Sequence, residues 1–125
     1  MADAVASQTL IDGDRNLVIK LTNISDGTGE AAVVKVDASA FGASALRLDR
    51  IDYTTAGMGV DLLWEATTDV LAWHIGADQE GEIDFSLIAG IPNDAGTGKT
   101  EDMALTTVGA ASADRYTLIL HLRKI

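Results

Sequence analysis

The sequence predicts an all-β protein, an antiparallel β-sandwich of jelly-roll type with about eight strands. Apolar and polar residues alternate in short runs, turns rich in Gly and Asp separate these runs at regular spacing, and the helix-like periods are weak. We expect residues 1–125 to form one domain, because a chain of this length buries roughly two thirds of its surface in a single core.

The stretch from Asp52 to Gly76 contains both tryptophans and predicts the central hairpin of that core. Two apolar runs flank the polar break at residues 66–69. Folding the runs together sets three apolar pairs opposite each other: Trp64 with Leu71, Leu62 with Trp73, and Val60 with Ile75. A slip of one residue would expose both indoles, so we expect the register to be firmly specified.

Alternation predicts further strands over residues 5–11, 16–24, 31–37, 45–55, 81–87, 101–108 and 114–124. The strands over 16–24 and 31–37 are expected to form a second hairpin, and the small residues 38–45 to cross from one sheet to the other.

Two of these strands have features of their own. Leu48 and Ile51 have opposite parity, so a β-bulge near Asp49 and Arg50 is needed to keep the apolar side facing inward. In the run over 81–87, alternation directs Ile83, Phe85 and Leu87 inward.

Composition excludes several functional classes. The chain has no cysteine, which removes disulfides, thiolate zinc sites and cysteine nucleophiles. Its net charge of −10 repels phosphate backbones, so we expect no nucleic-acid partner. No apolar run approaches the roughly 20 residues that span a bilayer, and the amino-terminal stretch lacks the basic and apolar parts of a secretory signal. We therefore expect no membrane association.

No motif predicts a cofactor, a resident metal or a catalytic residue. The string NDAGTGKT at 93–100 resembles a phosphate-binding loop, but it lacks the first glycine and a following helix. The spacing of Asp12, Asp14 and Asn16 lacks the glycine and glutamate of an EF-hand, although a looser calcium site at Asp26 and Glu30 stays open.

The two histidines give no third ligand for zinc. We expect His74 to pair with Asp61 across the central hairpin. No serine lies in a nucleophile motif, so the sequence predicts a protein that is not an enzyme.

Several apolar residues are directed to the nominally polar side of their strands: Val18, Val33, Leu63, Val70 and Ile119. A monomer rarely gathers so many apolar side chains on one exposed sheet face. Either the second sheet of the same chain covers them or another subunit does.

The segments QTLIDGDRNLVIKLTNISDGTGE, IDYTTAGMGVDLLWEATTDVLAW and DRYTLILHLRK resemble small virion proteins of tailed bacteriophages. This resemblance implies a non-enzymatic structural protein of the capsid decoration or cement type. Such a protein is made in the host cytoplasm, binds the major capsid protein at the surface of the virion, and often forms a homotrimer. A tail, head-tail connector or fibre-associated component is the alternative within the virion.

A carbohydrate-binding module on the same scaffold is the alternative from another functional class. Jelly rolls often bind sugars through exposed aromatic side chains, whereas Trp64 and Trp73 are predicted to point inward.

The candidate contact surfaces for assembly are the amino-terminal arm, at about residues 1–9, and the loop over 93–99. Together with outward apolar positions they give the candidate interface residues Met1, Ala2, Asp3, Ala4, Val5, Leu63, Val70, Asn93, Asp94 and Ile119.

Overall fold

The chain folds as a two-sheet β-sandwich, which confirms the predicted fold class. The structure, a computed structural model, describes residues 4–27, 29–43, 45–88, 90–92 and 102–124. Within these ranges the strands, numbered in chain order, are β1 Ala4–Asp12, β2 Asn16–Asp26, β3 Val33–Val36, β4 Leu46–Ala56, β5 Gly59–Trp64, β6 Val70–Ile75, β7 Glu80–Asp84, β8 Ile91–Pro92, β9 Met103–Val108 and β10 Ser112–Lys124. Two short 3-10 helices span Ala38–Phe41 and Ser86–Ile88. No helix in the described ranges is long and apolar enough to cross a membrane.

All strand pairs are antiparallel, and they form two sheets. The larger sheet has the order β1-β2-β10-β4-β7, and β8 also pairs with β4. The smaller sheet has the order β3-β9-β5-β6. The chain changes sheet at most connections, so that the paired sets β2-β10-β4-β7 and β3-β9-β5-β6 interleave along the sequence. This interleaving is the topology of a jelly roll.

The core lies between the two sheets. Alternate residues of β2 and β10 point into it, as the sequence predicts, and they are fully or almost fully buried: Leu17, Ile19, Leu21, Tyr116, Leu118, Leu120 and Leu122. Burying one large aliphatic side chain stabilises the fold by about 1.5–3 kcal/mol. These inward residues therefore fix which side chains each strand presents to the outside.

The predicted β-bulge in β4 is confirmed. Leu48 lies opposite Leu122 and Arg50 lies opposite His121, which leaves Asp49 as the extra residue. The bulge keeps Leu48 and Ile51 on the core side despite their opposite parity, and both are fully buried.

The central hairpin forms from β5 and β6 with one difference in register. Val60 lies opposite Ile75 and Leu62 lies opposite Trp73, as predicted. Trp64 lies opposite Val70 instead of Leu71, because a register shift occurs between Leu62 and Leu63. The prediction that Val70 points outward is therefore wrong: Val70 packs against the core and Leu71 is exposed.

The second predicted hairpin is wrong, because β2 and β3 belong to different sheets. The connection between them crosses the sandwich and is held at Glu30, whose backbone C=O accepts a hydrogen bond from the Thr107 N–H and whose N–H donates to the Thr107 hydroxyl. The predicted crossing over 38–45 is confirmed, since β3 lies in the smaller sheet and β4 in the larger one.

The strand prediction fails at Leu87. The strand β7 ends at Asp84, and the 3-10 helix Ser86–Ile88 then rotates Leu87 out of the alternating pattern. Phe85 is buried and Ile83 packs against the core, as predicted, whereas Leu87 is fully exposed.

Candidate functional site

A groove crosses the outer face of the larger sheet. Two depressions of about 530 and 440 Å³ lie on either side of β10 and have Thr117 in common. Thr54 and Glu80 line the first, and a third depression, of about 90 Å³, adjoins the second at Ala6 and Thr22. The groove therefore presents hydroxyl and carboxylate groups.

The groove has no exposed aromatic ring. Tyr53 and Tyr116 contribute to its walls, but none of the six aromatic side chains of the protein is exposed. Trp64 is fully buried, and Trp73 packs edge-on against Phe85 with ring centroids 5.0 Å apart. Both tryptophans belong to the smaller sheet and contact the core, so neither offers a flat apolar platform to a ligand.

Asp52 is the centre of a charged network in the groove. Its Oδ2 lies 3.0 Å from His121 Nε2, and its Oδ1 accepts a hydrogen bond of 3.1 Å from Arg50, which also pairs with Glu82. Burial raises the pKa of Asp52, but the hydrogen bonds from His121 and Arg50 outweigh burial and hold this pKa below its ordinary value. Asp52 is therefore ionised at neutral pH, and both of its oxygens have hydrogen-bond partners, as expected for a carboxylate with a structural role.

Charge is distributed unevenly across the larger sheet. The register with β4 places Glu80, Glu82 and Asp84 of β7 on the outer face, next to the network at Asp52. The opposite edge strand, β1, carries no charged residue before Asp12. One edge of the sheet is thus acidic, and the other is uncharged from Ala4 to Ile11.

The uncharged edge also exposes aliphatic side chains. Val5, Leu10 and Ile11 of β1 and Ile24 of β2 are between 43 and 52% exposed, and we call these four residues the edge patch. All side chains that the structure describes in β1 are exposed, because β1 pairs with β2 and the smaller sheet does not cover it. This arrangement leaves both faces of the strand open to another molecule.

A second apolar surface lies in the segment between β7 and β8, at the edge of the larger sheet beside β4. Leu87 is 99% exposed and its neighbour Ile88 is 64% exposed. We call these two residues the tip patch. Two adjacent aliphatic side chains with so large an exposed fraction are unusual on a protein surface, so they are candidates for a contact with a partner.

The carboxylate of Glu30 belongs to a buried cluster that links the two sheets. It accepts hydrogen bonds from Asn23 Nδ2 at 2.7 Å and from the Tyr116 hydroxyl at 2.6 Å, and it forms an ion pair with Lys35. The side chains of Glu30 and Lys35 are 6 and 7% exposed. The calcium site considered at Asp26 and Glu30 is not supported by this arrangement, because protein donors already occupy the carboxylate of Glu30.

The two histidines lie in different sheets and each contacts one aspartate. His74 lies across the hairpin from Asp61, as predicted, with 2.5 Å between Nδ1 and Oδ1. His121 contacts Asp52. In the described part of the chain neither imidazole is hydrogen-bonded to a serine or threonine hydroxyl, and no group of three His, Asp or Glu side chains could hold a metal ion.

The predicted interface residues are distributed over several surfaces. Ala4 and Val5 lie in β1, so residues 4–9 of the predicted arm form a strand of the larger sheet. Ile119 lines the groove, Leu63 is half-buried in β5, and Val70 packs against the core. Met1, Ala2, Asp3, Asn93 and Asp94 lie outside the described residues.

Sequence reasoning missed Leu10, Ile11, Ile24, Leu87 and Ile88 as exposed apolar residues. Leu10 lies in a register shift of β1, which alternation alone does not reveal. The adjacent Leu87 and Ile88 give a weak signal, since neighbouring residues on a strand cannot both point inward.

No protein-family model and no curated protein sequence matches the chain. Among solved structures, the chain is similar to a family 29 carbohydrate-binding module at a TM-score of 0.42 and 9% identity, over 95% of this chain and 88% of that one. A variant of such a module matches with a TM-score of 0.43 and 9% identity, over 95 and 91% of the two chains. A structure described as CBM4 matches with a TM-score of 0.33 and 11% identity, over 97 and 94%. At these values the ligands of those proteins give no argument about this chain.

Proposed function

We propose that this protein is a non-enzymatic structural subunit of a tailed-phage virion, of the capsid decoration type, which attaches to the major capsid protein through its tip patch. The observation that carries the proposal is the exposure of Leu87 and Ile88 at the β7/β8 edge of the larger sheet. Residues that anchor protein interfaces are commonly large side chains that fill pockets on the partner. The virion as the setting comes from the sequence resemblance.

The rest of the molecule is compatible with this role. A decoration protein needs a rigid body and a contact surface, and it needs no reaction site. The jelly roll supplies the rigid body, and the two histidine–aspartate pairs lack a neighbouring hydroxyl nucleophile in the described ranges. The net charge of −10 opposes non-specific aggregation of the free protein before assembly.

The test is co-sedimentation of the purified protein with empty, expanded shells built from the major capsid protein of a phage that encodes it. We expect saturable binding that Leu87→Ser with Ile88→Ser weakens at least about tenfold, since truncated anchor residues commonly cost 2 kcal/mol or more. Leu71→Ser is the matched control, because Leu71 is an exposed leucine on the smaller sheet. Absence of shell binding by the wild type would refute the proposal, and equal binding by the tip variant would exclude this contact.

A carbohydrate-binding module is the second candidate function, and the groove is the observation that favours it. Hydroxyl and carboxylate groups of Thr54, Thr117 and Glu80 are suited to hydrogen bonds with sugar hydroxyls. The missing exposed aromatic ring argues against tight stacking of a sugar on this face. Titration calorimetry with soluble polysaccharides tests this function: binding that Glu80→Gln abolishes would favour the sugar module over the virion subunit.

A further inference from the structure

Among the described strands, β1 is an edge strand with a partner on one side only. It runs from Ala4 to Asp12, pairs along one side with β2, and exposes both of its faces. A long edge strand presents a row of unpaired N–H and C=O groups, which is a template for another strand. Proteins usually protect such edges with charged side chains, proline or β-bulges. Between Ala4 and Ile11 there is no charged side chain and no proline, and the one irregularity is the register shift at Leu10.

The other edge of the same sheet is protected. The strand β7 is five residues long and carries Glu80, Glu82 and Asp84 on one face. Two such edges would repel each other, because like charges directly opposite on paired strands are destabilising. The larger sheet therefore has one edge built to prevent pairing and one edge that permits it.

We propose that β1 pairs antiparallel with β1 of a second copy of this chain, around a twofold axis at the middle of the strand. A twofold axis makes the contact self-complementary and closes it at two copies. Apart from β8, the five-stranded sheets then join into one continuous sheet with β7 at both ends. Val5 and Ile11 of each copy become partly covered at the seam, which accounts for their exposure in the single chain.

Charge explains why the second copy fits this edge although each chain carries a net charge of −10. In the joined sheet the two acidic β7 edges are nine strand spacings apart, about 43 Å at roughly 4.8 Å per spacing. This distance is several times the Debye length of about 8 Å at physiological ionic strength. The strands at the seam contribute no charged side chain from Ala4 to Ile11, and the nearest outward charge on β2 is the cationic Lys20.

The contact also extends the groove. Ala6 and Gln8 of β1 line the depressions next to the seam, so the grooves of the two copies would meet across it. The inference concerns the free protein in solution and does not depend on whether the tip patch binds a shell.

The test is the native mass of the purified protein by light scattering and sedimentation over a concentration series. We expect a reversible transition from the mass of one chain, 13.1 kDa, to twice that mass. Ser7→Lys with Gln8→Lys, which adds charge to both faces of the seam, should raise the dissociation constant at least about tenfold by like-charge repulsion. Thr67→Lys with Thr68→Lys is the matched control, because both threonines are exposed in the β5–β6 turn and give the same change in charge.

Hydrogen exchange gives a second readout. The β1 amides that point away from β2 should exchange rapidly in the monomer and slowly in the dimer, and only the Ser7→Lys/Gln8→Lys variant should lose this protection. A monomer at every concentration, a trimer, or a dimer that this variant leaves unchanged would overturn the proposal. A dimer that does not bind shells would overturn the proposed function alone.

Discussion

The buried carboxylate of Glu30 gives the sharpest test of how the two sheets are held together. Glu30 lies in the connection between β2 and β3, pairs with Lys35 of β3, and accepts hydrogen bonds from Asn23 of β2 and Tyr116 of β10. The substitution Glu30→Ala leaves the ammonium group of Lys35 buried without its carboxylate.

Removing one partner of a buried ion pair costs about 3–5 kcal/mol, because the remaining charge stays desolvated. This is a large part of the roughly 5–15 kcal/mol that stabilises a typical domain. With an unfolding entropy of about 2.1 cal/mol/K per residue, 1 kcal/mol corresponds to about 4 °C for a chain of this length. We therefore expect Glu30→Ala to lower Tm by roughly 10–20 °C.

Urea unfolding followed by tryptophan fluorescence measures the change in the free energy of unfolding, because Trp64 is fully buried in the native state. Lys35→Met should cost less than Glu30→Ala, since the carboxylate keeps its hydrogen bonds from Asn23 and Tyr116. Glu80→Ala, at an exposed position, should change stability by less than about 0.5 kcal/mol. If Glu30→Ala costs no more than this control, the reasoning about the cluster is wrong.

Three further predictions follow from single sites. Burial raises the pKa of Asp52, but hydrogen bonds to its carboxylate lower this pKa more, so its stabilisation is present above about pH 4 and is lost as the pH falls through the lowered value. The urea midpoints of Asp52→Asn and wild type should therefore differ at pH 7, and the difference should shrink as the pH falls below about 4. Acrylamide should quench the emission of Trp73→Phe poorly, because this variant retains only the fully buried Trp64, and strong quenching would contradict the core assignment. Gly57→Ala should lower Tm more than Gly42→Ala in thermal unfolding. Both glycines have positive φ, but a Cβ at Gly57 would meet a neighbouring carboxylate oxygen at 2.0 Å, whereas a Cβ at Gly42 would meet open space. Equal decreases in Tm would show that the backbone conformation alone sets the cost of the substitution.

Alternation in the sequence predicted the faces of the regular strands well. The inward residues of β2 and β10 were identified correctly, as was the bulge at Asp49. These features depend on one local rule, because successive side chains of a strand point to opposite sides and apolar ones are driven into the core.

The candidate site was predicted less completely. Ile119 was identified as an outward residue and Val5 as part of a contact arm, whereas Leu87 was assigned to the core and Val70 to the surface. Both errors occur where regular alternation stops: a 3-10 helix begins after β7, and a register shift lies in the β5–β6 ladder. A single-residue irregularity reverses the face of every later side chain in the strand.

The sequence by itself determined that this is a β-sandwich, where most of its strands lie and which faces most of them bury. Only the tertiary structure decided that β2 pairs with β10 instead of β3, that Glu30 is buried between the sheets, and that β1 is left as an open edge. The physical reason is that a period of two specifies the face of a strand without specifying its neighbour. Strand neighbours in a jelly roll are distant in sequence, so they are settled by the packing of the whole chain.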